Sequence, residues 1–375
     1  MVRMRAPVWL RRSVLVALTV GLTVVAVAVW VHSNGLRSQL LAPEEAQAYD
    51  LDLIDLGSGR VVLPRTDETE ARGIWGLESA TAYAQVGAII EQTDETVVRS
   101  LQTLVGELSP GDPVRLDADA FPGDPKEAHG LGFEPVRVPG DLGPNPSWLV
   151  EGRRSTWVIV VHDRGDDRRQ SLRLIPTLVD QGFPVLVMTM RNDVGAPRSP
   201  SGMVMWGLDE WRDLEAAAAL AQLKGAEDFV LIGYGMGAGV ISTFLNESDR
   251  SGEVLGVVMD SPVLDLEGAV DATSSAIPPF LELSQQLARV RFGLEWEHLN
   301  HVEAADRFDV PILILHGAAD TVVPISMSER FADAIPNLVR LERFEQAGHG
   351  GLWNVDAERY STEVTEFLNL VAGTE

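Results

Sequence analysis

The chain has 375 residues, of which 45% are hydrophobic and 23% are charged, so its composition excludes a disordered or low-complexity protein. Its 55 acidic side chains outnumber 30 basic ones, and the net charge of -25 excludes a nucleic-acid partner, because a phosphate backbone requires a basic surface. Cysteine is absent, which excludes disulfide bonds, thiolate metal sites and a cysteine nucleophile.

The first predicted element is a transmembrane anchor helix at residues 13–31, which contain no charged side chain. At about 1.5 Å per residue this helix nearly spans the ~30 Å hydrocarbon core of a bilayer. Residues 1–12 carry four arginines and no acid, so the positive-inside rule places them in the cytoplasm and the large domain outside the cell membrane. The alternative is a cleaved signal peptide with its cleavage site at Ala26-Val27-Ala28, although the apolar run continues to Val31.

Residues 38–150 are predicted to form a β-rich N-terminal extension. Short strand-like runs at 49–54 and 61–64 flank Gly57-Ser58-Gly59, a pattern that predicts a hairpin. The segments 81–90 and 96–105 predict further strands, whereas residues 111–143, rich in Gly, Pro and Asp, predict mostly loop.

Residues 151–375 alternate between short apolar runs and helical patterns. The runs are continuously apolar, which is typical of parallel strands buried on both faces, and they lie at residues 157–161, 184–190, 229–232, 255–259 and 310–315, with a last strand at 340–344. Helical patterns occur between them and at 360–371. This alternation predicts an α/β fold with a doubly wound, mostly parallel sheet, which binds ligands beyond the carboxyl ends of its strands.

Short motifs follow the predicted strands at those carboxyl ends. In chain order they are His162-Asp163-Arg164-Gly165, Arg191-Asn192-Asp193, Gly233-Tyr234-Gly235-Met236-Gly237, Asp260-Ser261-Pro262, His316-Gly317-Ala318-Ala319-Asp320 and Ala347-Gly348-His349.

This layout resembles the α/β-hydrolase superfamily, and within it the serine aminopeptidase and lysophospholipase-like branch. In that superfamily a serine nucleophile stands on a sharp strand-to-helix turn, G-x-S-x-G, and the triad Asp and His follow in chain order. The resemblance implies that Gly235 occupies the nucleophile position and that Asp320 and His349 complete the triad. It also implies that the backbone N–H groups of Arg164 and Met236 form the oxyanion hole.

Two positions depart from the pattern of the superfamily. Gly235 replaces the serine, and glycine has no Oγ to attack an acyl group. Asp163 follows His162 where the superfamily usually has glycine, and an ionised Asp163 that points into the site would oppose a developing oxyanion. The alternative is that Asp163 points outward or pairs with Arg164.

Asp260 is an alternative triad acid, because it also ends a strand, but it could equally cap the following segment. Ser261 and Ser242 are hydroxyls near the site, and neither stands on the elbow, so we do not expect either to replace the nucleophile.

Two further features of the sequence lie outside the strand ends. His298 and His301 are three residues apart among acidic side chains, which favours a solvated helix over a metal site, so we predict no metal and no cofactor. Residues 264–300 lie where the superfamily inserts a cap, and they form either a small cap or an ordinary crossover helix.

These observations predict a membrane-anchored, extracytoplasmic α/β-hydrolase-like protein with a degenerate serine-hydrolase site. It would be a binding or regulatory pseudoenzyme for an unknown small-molecule or lipid ligand. The alternative is an active hydrolase of ester, lipid or small peptide substrates. It would use water activated by His349 and Asp320, or Gly235 would be an altered serine.

Overall fold

The computed structural model describes residues 8–43 and 48–374. Helix α1 (Val8–Leu36) contains the whole predicted span 13–31. Within the described residues, Leu15–Leu41 is long and apolar enough to cross a membrane, and almost none of its most apolar part is buried against the protein. Arg3 and Arg5 of the predicted cytoplasmic segment lie outside the described residues.

Residues 37–43, called the linker segment below, follow α1 and are attached to the rest of the protein. The backbone oxygen of Leu41 accepts a hydrogen bond from Val204 N at 2.8 Å. The backbone oxygen of Leu40 accepts one from Trp206 Nε1, also at 2.8 Å. Leu41 itself is fully buried. The chain therefore leaves α1 without a free stretch before it joins the folded domain.

A seven-stranded antiparallel sheet follows, which confirms the predicted β-rich N-terminal part. Its strands are β1 (Leu51–Asp52), β2 (Asp55–Gly57), β3 (Arg60–Pro64), β4 (Trp75–Glu78), β5 (Tyr83–Gln92), β6 (Thr96–Val105) and β7 (Pro113–Asp117), in the spatial order β1-β7-β4-β5-β6-β3-β2. One face of this sheet is covered by its own apolar cluster, which includes Leu63 and Leu77.

The predicted hairpin is shorter than expected. Its strands are β2 and β3, joined at Ser58 and Gly59, whereas β1, in the middle of the predicted strand 49–54, pairs with β7. Ser58 and Gly59 have φ values of +52° and +73°. Two-residue hairpin turns of type I′ have positive φ at both central positions, as Ser58 and Gly59 do.

The expectation that residues 111–143 are mostly loop is wrong. They contain β7, helix α2 (Pro125–His129) and strand β8 (Glu134–Gly140). The prolines and glycines that suggested a loop mark the ends of these elements. Asp124 caps α2 through its side chain, Pro125 starts the helix, and Gly130 ends it with a left-handed φ of +70°.

The second sheet has eight strands and is mostly parallel, which confirms the predicted fold class. It consists of β8, β9 (Gly143–Val150), β10 (Thr156–Val161), β11 (Val185–Val187), β12 (Asp228–Tyr234), β13 (Val254–Asp260), β14 (Ile312–Gly317) and β15 (Val339–Phe344), in the order β15-β14-β13-β12-β10-β11-β9-β8. Only β8 and β9 run antiparallel to their neighbours. Because β9 pairs with β11, this sheet starts before the predicted boundary at residue 151.

Helices cover both faces of the second sheet. In chain order, the helices after α2 are α3 (Ile175–Asp180), α4 (Trp211–Leu223), α5 (Met236–Glu247), α6 (Leu266–Thr273), α7 (Pro278–Phe292), α8 (Ser326–Ala334), α9 (Leu352–Val355) and α10 (Ala357–Ala372). Side chains from α4, α5 and α8 fill one face, and side chains from α3, α9 and α10 fill the other. The segment 264–300 forms α6 and α7, which share an apolar cluster with Leu36 and Leu41 from the end of α1 and the linker segment.

Candidate active site

The candidate site begins at the turn between β12 and α5. Gly235 has a φ of +46° between the end of the strand and the first residue of the helix. Its neighbours are glycines for a different reason. A Cβ on Gly233 would lie within 3.0 Å of Ala238, and one on Gly237 would lie within 3.0 Å of Val161 O. The three glycines therefore permit a sharp turn packed tightly against β10.

His349 and Asp320 meet in front of this turn. His349 Nδ1–H donates to Asp320 Oδ2 at 2.8 Å. The other oxygen of Asp320 accepts hydrogen bonds from the backbone N–H groups of Val322 and Val323, both at 2.8 Å. Burial acts to raise the pKa of Asp320, but the hydrogen bonds from His316 and His349 outweigh it and lower the pKa. Asp320 is therefore a fixed carboxylate that orients the imidazole.

Asp163 points into the site, so the alternative of an outward Asp163 is wrong. Its Oδ1 accepts hydrogen bonds from the backbone N–H groups of Met236 and Arg164, each at 2.6 Å. Its Oδ2 accepts a hydrogen bond from His349 Nε2–H at 3.1 Å. The carboxylate of Asp163 thus accepts hydrogen bonds from both predicted oxyanion-hole N–H groups and from the second ring nitrogen of His349.

The carboxylate also fills the volume that a nucleophile side chain would need. A Cβ on Gly235 would lie within 3.0 Å of Cγ and of both carboxylate oxygens of Asp163, closer than real Cβ atoms come to other atoms. Glycine at 235 and aspartate at 163 are therefore sterically matched, since the inward Asp163 requires a residue without a side chain at the elbow.

The backbone of Asp163 is held by two neighbours. Its N–H donates to Gln170 Oε1 at 2.8 Å, and its carbonyl oxygen accepts a hydrogen bond from His162 Nδ1–H at 2.7 Å. His162 Nε2–H in turn donates to Asp193 Oδ2 at 2.9 Å. Burial acts to lower the pKa of His162, but Asp193 outweighs it and the pKa rises to about 9.

The two carboxylates around His349 change its chemistry. Burial acts to lower the pKa of His349, but the hydrogen bonds and charges of Asp163 and Asp320 raise it to about 10. Both ring nitrogens then carry protons at neutral pH and both donate to carboxylates. In this state the imidazole has no lone pair with which to deprotonate water or a hydroxyl group.

Asp260 lies deeper in the protein and has other partners. Its carboxylate accepts hydrogen bonds from Tyr360 Oη and Ser261 Oγ, both at 2.9 Å, and lies 3.8 Å from Arg173 Nη2. His349 donates to Asp320 instead. The geometry therefore pairs the histidine with Asp320 and makes Asp260 part of a buried polar cluster.

The two alternative hydroxyls are also engaged. Ser261 Oγ donates to Asp260 and accepts a hydrogen bond from Gly350 N at 3.2 Å. Ser242 Oγ is fully buried in α5, where it donates to Ala238 O at 2.8 Å. Neither hydroxyl lies on the turn at Gly235.

The prediction of a solvated helix at His298 and His301 is wrong for His301, which is buried and lies beyond the short helical turn at 296–299. His298 is exposed and pairs with Glu295 at 2.9 Å. His301 is buried, and burial lowers its pKa to about 4. Among residues 8–43 and 48–374, no three His, Cys, Asp or Glu side chains are grouped to hold a metal ion.

A cleft of about 1160 Å³ opens in front of Asp163. One wall comes from the second sheet, and the other comes from the N-terminal sheet through Arg115, Asp117 and Asp119. Sequence reasoning missed this second wall, because nothing local in those residues indicates which strand ends they face. It also missed Gln170, whose role depends on the fold of the loop after β10.

The N-terminal sheet is attached to the second sheet close to the site. Asn354 Nδ2 donates to Ile74 O at 2.7 Å and to Ala118 O at 2.8 Å. The linker segment reaches the same region, where Arg164 Nη2 donates to Ala42 O at 3.1 Å and its guanidinium lies 5.6 Å from the centroid of the Trp206 ring. Three parts of the chain therefore meet at the rim of the cleft.

Two family models match parts of the chain. One, described as alpha/beta hydrolase fold, matches residues 284–354, which include Asp320 and His349. The other, described as a domain of unknown function (DUF8805), matches residues 52–117, which form most of the N-terminal sheet.

Individual proteins show similarity of the same kind. The non-heme chloroperoxidase CPO-A1 of Kitasatospora aureofaciens is 36% identical over 74 residues, which are 19% of this chain, and the match spans only 26% of that protein. The esterase Pf2001 of Pyrococcus furiosus is 21% identical in one crystal form, with a TM-score of 0.54 over 67% of this chain and 97% of the esterase. A second crystal form gives 19% identity and a TM-score of 0.55 over 67% of this chain and 95% of the esterase. At these identities the structural likeness concerns the fold.

Proposed function

We propose that the chain is a catalytically silent member of the α/β-hydrolase superfamily, a membrane-anchored extracytoplasmic protein that binds a ligand without hydrolysing it. The observation that carries this proposal is the position of the Asp163 carboxylate. It accepts hydrogen bonds from both oxyanion-hole donors and from His349 Nε2. A substrate carbonyl that approached these donors would meet a negative charge where it needs hydrogen-bond donors.

The water mechanism is the first alternative, and the state of His349 weighs against it. A general base must accept a proton at the working pH. Both ring nitrogens of His349 donate to carboxylates, and its pKa is raised to about 10 by those carboxylates against the effect of burial. At neutral pH the histidine already holds the proton that a base would have to accept.

The second alternative is that Gly235 is an altered serine in an otherwise active enzyme. The steric match between positions 163 and 235 weighs against it, because a side chain at Gly235 would overlap the carboxylate of Asp163. Two linked departures from the hydrolase pattern fit a site without catalysis better than one isolated change at the elbow.

The cleft supports a binding role. Its volume of about 1160 Å³ can take a small molecule or the polar end of a lipid. Burial and the charges of neighbouring acids raise the pKa of Asp119 and Asp166 in its wall.

Anchoring by α1 rests on the apolar length of Leu15–Leu41 and on the arginines that precede it.

The direct test is the reactivity of the wild-type protein. We expect no labelling by a fluorophosphonate probe and no hydrolysis of an activated short-chain ester above that of a His349→Ala control. Strong labelling, or ester hydrolysis that depends on His349, would show a working nucleophile and overturn the proposal.

A further inference from the structure

Both ends of α7 contact the same short stretch of α1. Phe280 packs edge-on against His32, with ring centroids 5.1 Å apart. Near the other end, Arg291 Nη2 donates to Asn34 Oδ1 at 2.9 Å, and its guanidinium lies 5.3 Å from the centroid of the Trp30 ring. Phe280 and Arg291 are about 16 Å apart along α7, whereas Trp30 and Asn34 are only about 6 Å apart along α1. If the two helices ran parallel or antiparallel, contacts about 16 Å apart on α7 would reach residues about 16 Å apart on α1. They reach residues only about 6 Å apart, so α7 lies across α1.

The crossing occurs where the apolar part of α1 ends. Trp30 and Val31 are the last residues of the uncharged run and are exposed, whereas Ser33 and Leu36 are buried against the protein. In the anchor proposed above, this is the point at which α1 leaves the hydrocarbon core. Tryptophan rings and arginine side chains both favour this boundary, because each combines an apolar body with a polar end. A helix that crosses the anchor at this level lies along the bilayer surface.

The face of α7 that is turned away from the protein core carries exposed apolar side chains. Leu281 and Ala288 face the protein core and are buried. Leu283 and Val290 are seven residues apart, which places them on one helical face, and they are 52% and 83% exposed. Ile277, directly before the helix, is 71% exposed. Exposed apolar side chains therefore occur on α7 as well as on α1, the helix that it crosses.

We propose that α7 is a membrane-surface helix that inserts Ile277, Leu283 and Val290 among the lipid headgroups of the extracytoplasmic leaflet. The inference rests on the proposed anchoring by α1. The geometry favours the bilayer as the partner of this apolar face, because α7 crosses α1 at the depth where the apolar run of α1 ends. Arg289 and Arg291 lie in the last turn of α7, as expected of an interfacial helix with a basic polar side.

Single-cysteine labelling tests the inference cleanly, because the chain contains no cysteine. The full-length protein is reconstituted in vesicles of phosphatidylcholine and phosphatidylglycerol with a nitrobenzoxadiazole label at Leu283→Cys or Val290→Cys. Val24→Cys, on the exposed surface of α1, reports the anchor. Leu370→Cys is the matched control, because Leu370 is apolar and 76% exposed on α10, which ends beside Arg154 at the opposite end of the second sheet from the linker segment.

Lipids with a nitroxide near the headgroup should quench the labels at positions 283 and 290 at least about twice as strongly as the label at position 370. Lipids with a nitroxide deep in the acyl chain should quench the label at position 24. Equal quenching at 283, 290 and 370, with position 24 still quenched, would overturn the surface helix and leave the anchor intact. An unquenched label at 24 would overturn the anchor and the inference together. A blue-shifted emission at 283 and 290 without lipid quenching would mean a protein partner or a second copy, which also overturns it.

Discussion

The replacement Gly235→Ser tests how strongly the elbow and Asp163 depend on each other. A serine side chain cannot share the space of the Asp163 carboxylate, so Asp163 must turn away and give up its hydrogen bonds to His349 and to the two backbone N–H groups. In the Asp163→Gly background that space is empty. The same serine should then fit at the cost of backbone strain alone.

The magnitude follows from two contributions. A non-glycine residue at the positive φ of the elbow costs about 1–3 kcal/mol. Against the effect of burial, the hydrogen bond between Asp163 and His349 does most to raise the pKa of that histidine, and as a bond between two charged groups it is worth about 2 kcal/mol. Gly235→Ser should therefore cost about 3–5 kcal/mol in the wild type, but only about 1–3 kcal/mol after Asp163→Gly.

Chemical unfolding of the wild type, the two single variants and the double variant measures this coupling. The double variant is expected to be about as stable as Gly235→Ser alone, although simple addition predicts a further loss of about 2 kcal/mol. Ester hydrolysis gives a second readout. Gly235→Ser alone should gain little activity, because the displaced carboxylate of Asp163 stays next to the oxyanion hole and its negative charge opposes a developing oxyanion. The double variant should gain orders of magnitude and lose them again on His349→Ala, because triad residues act as a unit.

Additive free energies, or equal fluorophosphonate labelling of the single and double variants, would show that Asp163 does not block the elbow. A folded double variant without any activity on an activated ester would show instead that Asp320 and His349 are structural and not a triad.

Three further results are expected. The pKa of His349, raised by its carboxylate partners to about 10, means that its stabilisation is complete below about pH 6.5 and is lost as the pH rises towards about 10. The stability advantage of the wild type over His349→Gln, measured by chemical unfolding, should therefore shrink over that range, and a constant advantage would contradict the ion pairs. Imidazole NMR should show a lower His349 pKa in Asp320→Asn and a smaller decrease in Asp260→Asn, because Asp260 interacts with the histidine through charge and not through a hydrogen bond. Asp260→Asn should nevertheless lose about 3–5 kcal/mol of stability, because Asp260 is a buried charge partner of Arg173. Native protein should stay with membranes through a carbonate wash and be cut by protease added to intact cells, whereas release of a product that starts near residue 29 would indicate a cleaved signal.

The strand-end motifs could be located from the sequence because they depend on local patterns. Continuous apolar runs mark buried parallel strands, and topology places their carboxyl ends at one edge. The structure brings Gly235, Asp320 and His349 together at that edge. Their roles as remnants of a triad stay a prediction until the variants above are measured.

The orientation of Asp163 could not be predicted, because it depends on contacts that are distant in the chain. The side chain points inward because position 235, 72 residues later, has no Cβ and because Met236 N and His349 offer protons there. The sequence left two orientations open, and packing decides between them. The same applies to β8 and β9, which join the second sheet only through the pairing of β9 with β11.

The linker segment has a consequence for what the cleft can reach. A flexible linker of seven residues would have an end-to-end distance of about 15 Å. The domain could then move relative to α1, and the cleft would sample many heights above the bilayer. Instead, the backbone oxygens of Leu40, Leu41 and Ala42 each accept a hydrogen bond from the domain. The donor to Ala42 is Arg164, next to Asp163. With α1 as a membrane anchor, the opening would stay at one height and turn only together with that helix. A cleft held at a fixed height meets ligand groups presented at that height at a higher effective concentration, and it does not reach groups held farther from the bilayer.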